Sequence, residues 1–147
     1  MKTPQKLGLV AVAVFVISHF LPAYEGGSGF ACFQFCWNVL LGHDTKILSG
    51  GWFYYSGLAI SNILFIGLVV ALFLTKKSRR IRSVVSAVLF LQVLSWLVLH
   101  VFQPSQVDEI KIGYYVWLVA YGLLVAAHLW KEQGEPLQST PLAHSVV

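Results

Sequence analysis

Residues Trp52–Thr75 read WFYYSGLAISNILFIGLVVALFLT, without one Asp, Glu, Lys or Arg. A hydrocarbon core of ~30 Å is crossed by ~20 residues of helix, each rising ~1.5 Å. This stretch therefore reads as a membrane-spanning helix. Three more uncharged apolar segments flank it: Leu7–Leu21, Ser83–Phe102 and Tyr114–Trp130. With their neighbouring residues, the four spans cover about 7–23, 52–75, 83–102 and 113–130. The chain is 57% hydrophobic and 11% charged, against roughly 25% charged in a soluble domain. No segment is left over for a separate soluble domain. Lys2 and Lys6 precede the first apolar run, but no small-x-small cleavage site follows it. The first span is therefore expected to be an uncleaved helix rather than a signal peptide.

The charge lies between the spans. Lys76, Lys77, Arg79, Arg80 and Arg82 crowd the connection between spans two and three, with no acid among them. Short Lys/Arg-rich loops stay on the cytoplasmic side. The expected topology has both termini and this loop inside, with 23–51 and 103–113 outside. Anionic lipid headgroups are the natural contact of such a loop. The net charge of +4 thus reads as an orientation signal, not as a nucleic-acid surface.

Phe30–Leu41, FACFQFCWNVLL, is too short to span. It reads as a helix lying at the outer interface, entered through the flexible turn Glu25–Gly29 and ended by Gly42. The tail 131–147 is polar, carries Pro136 and Pro141, and is expected to be disordered and cytoplasmic. The fold class is an all-α membrane protein: four transmembrane helices in an antiparallel bundle forming residues 1–130, with a short interfacial helix in the first outer loop.

Polar groups inside hydrocarbon are costly unless paired, so they point to packing or function. Asn62, Gln92 and Tyr121 fall near the middle of spans two, three and four. They are expected to form one interhelical hydrogen-bonded layer. His19 and His100 fall near the outer ends of spans one and three, where a pair of imidazoles on two helices is a candidate ligand set for haem b. No other cofactor and no metal site is expected.

Cys32 and Cys36 are the two cysteines, four apart in the loop assigned to the outside. On a helix their Cα atoms stand ~6 Å apart, within disulfide range. Cysteines in the first outer loop of a four-span chain resemble, in part, the quinone-linked thiol oxidases of the periplasmic four-helix type. The chain departs from them with three residues between its cysteines instead of two and no second cysteine pair in 103–113. It is not read as a member.

The expected function is that of a small integral membrane protein without catalytic chemistry of its own. It would act as an accessory or assembly subunit, or as an immunity-type interaction protein, in a bacterial inner membrane. Its expected partners are the bilayer and a larger membrane protein or further copies of itself, not nucleic acid. The alternative is a membrane redox protein using a His19/His100 haem site, or Cys32/Cys36 with quinone.

Overall fold

The computed structural model describes residues 1–24, 26–43, 49–74, 79–102 and 110–130. The described residues form five helices: α1 (Thr3–Phe20), α2 (Gly29–Leu40), α3 (Ser49–Leu74), α4 (Arg79–Phe102) and α5 (Ile112–Leu129). Four of them, α1, α3, α4 and α5, are long and apolar enough to cross a membrane, the signature of a multi-pass membrane protein. Lys76, Lys77 and the tail 131–147 lie outside the described residues.

Element boundaries differ from the sequence reading in instructive places. Helix α1 ends at Phe20 rather than running to 23, because Leu21 turns to an extended conformation ahead of Pro22. Helix α4 begins at Arg79 rather than Ser83. Arg, unlike the apolar residues used to mark the span, carries no membrane signal but is a good helix former. Arg82 also donates from Nη1 to the carbonyl of Ala71, near the end of α3. Its charge therefore satisfies a carbonyl at the negative end of a helix as well as marking orientation.

Within the turn expected to be flexible at 25–29, Gly27 and Ser28 form a short strand, while Glu25 lies outside the described residues. Strand β1 (Pro22–Tyr24) pairs antiparallel with β2 (Gly27–Ser28). Gly26 makes the reversal at φ +85°, a left-handed conformation open to glycine. The hairpin is tied on both sides. Gly29 N–H donates to the Leu21 carbonyl at 2.9 Å, and Lys111 N–H donates to the Ala23 carbonyl at 3.0 Å. Backbone groups near an apolar interior need such partners, and here the chain entering α5 supplies one. Ser28 then caps α2, accepting from Ala31 N–H at 3.3 Å. Gly42 ends that helix segment at φ +75°.

The core lies between α1, α3, α4 and α5. Ala11, Phe65, Val93, Ala120 and Leu124 are fully buried there. Phe15 stacks on Phe65 with ring centroids 4.4 Å apart. Helix α1 packs more extensively on α5 than on any other element, and α2 packs chiefly on α3. Outward faces carry large apolar side chains, among them Val84, Val88, Leu91 and Val98 on α4. In lipid such faces cost nothing, since the surroundings are equally apolar.

Candidate functional site: a roofed aromatic cavity

A cavity of about 300 Å³ opens where α1 finishes and α3 and α5 begin. The hairpin and α2 cover it: Ala23, Tyr24, Gly29 and Cys32 all face it. Three chain segments meet at this roof with no space between them. A Cβ on Gly29 would stand 2.5 Å from the Ser18 carbonyl oxygen, and one on Gly113 2.7 Å from that of Pro22. Glycine is what lets the starts of α2 and α5 approach the end of α1.

The walls are rings. Phe33 and Phe35 come from α2, Tyr55 from α3, Trp96 from α4, and Tyr114 and Trp117 from α5. Most are braced from behind. Trp96 packs on Tyr54 with centroids 5.5 Å apart, and Tyr54 shares a hydrogen bond of 3.0 Å with Ser95. The Tyr114 hydroxyl donates to the Val93 carbonyl, joining α5 to α4.

Asn62 supplies the polar floor. Its Oδ1 accepts from Trp117 Nε1–H at 3.1 Å and from the Tyr121 hydroxyl at 3.2 Å. Indole N–H can only donate, so the amide atom facing it has to be the oxygen. Both lone pairs of that oxygen are then in use. The amide nitrogen, with two N–H donors, makes no hydrogen bond to the described residues. Asn62 is 7% exposed, and it lines the cavity. The nitrogen is not among the sealed, unpartnered buried atoms, so this donor stays accessible for a partner.

The residues singled out in the sequence are distributed unequally around this place. Asn62 and Tyr121 are joined directly. Gln92 takes no part in that bond; its amide lies beside Gly57, whose Cβ position is 3.4 Å from Nε2. Trp117 stands in the position expected of Gln92. The signal was present in the sequence, because Trp117 and Tyr121 are one helical turn apart and share a face of α5.

His19, Cys32 and Cys36 line the cavity, whereas His100 does not. His19 Nδ1 lies 2.8 Å from the Phe15 carbonyl oxygen. A carbonyl only accepts, so Nδ1 carries the proton, and in the neutral ring Nε2 is left as an acceptor. Among the described residues, no group of three or more His, Cys, Asp and Glu is placed to hold a metal ion.

No disulfide joins the two cysteines; Cys36 is buried and Cys32 half-buried. Burial, with a smaller contribution from Cys32, pushes the Cys36 thiol up to about 12. The thiolate is the reactive form. In a Cys32→Ser background, iodoacetamide near pH 8 is therefore expected to leave Cys36 of the folded protein largely unmodified. The rate should climb as pH rises towards the thiol's raised pKa, and denaturation should remove the protection. Rapid labelling of folded protein near neutral pH would contradict the burial argument.

Comparison of the chain with protein families, curated proteins and solved structures found no match.

Proposed function

We propose that this chain is an integral membrane protein that binds a small, largely apolar molecule in the roofed cavity. In this reading it serves a larger membrane assembly as an accessory subunit, without catalytic chemistry of its own. The observation that carries the reading is the open amide donor of Asn62 on the floor of a ring-walled space. A helix assembly that needed only stability would gain by closing that space, since unfilled volume forfeits contacts. Ligand sites have this make-up: mostly apolar and aromatic walls with a few convergent polar groups. The non-catalytic part is supported by how other polar groups are used. Tyr54 is bonded to Ser95, Tyr114 to a backbone carbonyl, and the Cys36 thiol is held in its unreactive form.

In the same reading the four long helices form an antiparallel bundle in a bacterial inner membrane, with both termini cytoplasmic. Helix α2 then lies at the outer interface, as the roof of a cavity on the outer side. The basic run that includes Arg79, Arg80 and Arg82 supports this orientation, and α2 is only 12 residues long, too short to span. In a Cys32→Ser/Cys36→Ser background, a membrane-impermeant maleimide added from outside is expected to label His43→Cys and not Arg80→Cys. The reverse pattern would invert the topology.

The subunit reading is tested by purification in mild detergent from the native membrane. A larger membrane protein should copurify in fixed stoichiometry. A chain that elutes alone in every mild detergent tried, after gentle in-membrane crosslinking also yields no partner, would refute it.

A further inference from the structure

We infer that the occupant of the cavity is a neutral, planar ring bearing a carbonyl oxygen. The inference rests on the binding reading above and names the chemistry of the ligand. Among the described residues the lining contains no Asp, Glu, Lys or Arg. A charged ligand would lose its hydration there with no counter-charge to replace it, so the ligand is neutral. The walls are six aromatic side chains contributed by four of the helices, and flat rings are favoured by offset and edge-to-face contact with such walls. The volume of about 300 Å³ lies at the lower end of the ~300–1,000 Å³ typical of ligand sites, so it takes one or two fused rings.

The polar positions fix the rest. The amide N–H of Asn62 needs an acceptor, and its own oxygen is already occupied by Trp117 and Tyr121. A carbonyl oxygen on the ring meets that need while adding no donor of its own. His19 adds an acceptor at Nε2, which serves a hydroxyl where the ring carries one. A lipid-soluble quinone and a non-redox aromatic ketone share this chemistry.

The test uses the full chain in detergent and three probes. Duroquinone is a fully methylated ring that resists thiol addition, so Cys32 and Cys36 do not trap it. Durene is the same ring without the carbonyls, and methyl decanoate is a carbonyl on a flexible chain. Duroquinone is expected to quench tryptophan fluorescence saturably, because Trp96 and Trp117 line the cavity. Durene should compete about tenfold more weakly, the worth of one lost hydrogen bond in a buried site. Asn62→Leu should erase that difference. Leu58→Trp, which fills the cavity without touching the Asn62 bonds, should abolish binding of both rings.

Equal affinities for duroquinone and durene in the unaltered protein would overturn the carbonyl assignment. Tighter binding of methyl decanoate would overturn the planar ring. Either result leaves the binding reading standing. Absence of saturable binding by all three, or binding indifferent to Leu58→Trp, would overturn both together. The wild-type comparison decides the matter even where Asn62→Leu fails to fold. Solvent extraction of the purified protein then separates the two sources. An ultraviolet band that shifts on dithionite reduction marks a quinone, and a band that does not shift marks a ketone; each supports the inference.

Discussion

Asn62→Leu is expected to destabilise the protein by about 2–3 kcal/mol, the largest effect of any single polar substitution in the spans. Two interhelical hydrogen bonds end on its Oδ1, each worth ~0.6–2 kcal/mol in a membrane protein. Leucine also strands their donors. Tyr121 is 1% exposed, so its hydroxyl has no water to turn to, and a buried unsatisfied donor costs ~1–3 kcal/mol. Tyr121→Phe removes the hydroxyl along with the bond and should cost only about 1 kcal/mol. In the Tyr121→Phe background the Asn62→Leu change should be milder, because the two residues share one interaction. Reversible unfolding in mixed micelles of dodecylmaltoside and sodium dodecyl sulfate measures all three. A loss under about 0.5 kcal/mol for Asn62→Leu would place it with ordinary surface changes and dissolve the network.

Gly113→Ala is expected to cost about 2–3 kcal/mol and to displace the roof. The added Cβ would stand 2.7 Å from the Pro22 carbonyl oxygen and 2.8 Å from that of Leu21. Both are backbone atoms, so no side chain can rotate aside. Relief requires moving the hairpin or the start of α5, and overpacking of this kind costs ~1–3 kcal/mol. The hairpin is tied to Lys111, two residues before the glycine, so the strain enters the tie directly. Gly67→Ala is the matched control. Its Cβ would meet nothing within 4 Å, and alanine favours the helix by up to ~1 kcal/mol. The same unfolding titration should find Gly67→Ala neutral or stabilising. Equal costs for the two substitutions would mean that the crowding at the roof is not real.

Much of the fold is written in residue chemistry that needs no three-dimensional context. Charge is excluded from Leu7–Leu21 or Trp52–Thr75 for a physical reason, and length then separates the four spans from the shorter α2. The site is legible only in part. Asn62, Tyr121, His19 and the cysteines stand out because polar atoms in apolar runs require partners. Which partner each finds depends on helix rotation. Composition does not give that, so Gln92 was expected where Trp117 stands. Aromatic residues near span ends are common interface anchors, and nothing in the sequence marks Trp117, Tyr114 and Trp96 as cavity walls instead. The hairpin was illegible for another reason. One of its two ties comes from Lys111, nearly ninety residues away in the chain, and no local pattern announces so distant a bond.

The close embrace of α1 and α5 has a consequence for biogenesis. The first of the described helices has its main partner in the last of them. As the chain leaves the ribosome, Phe15 can meet Phe65 of α3 early, but the larger part of the packing face of α1 stays uncovered until residues beyond 112 arrive. Contacts between such distant segments are slow to form, because the intervening chain must first be ordered. The described helices thus close like a ring fastened by a late link. A nascent chain halted before α5 would hold its helices loosely and its roof untied from Lys111, so membrane quality control has a late event to inspect.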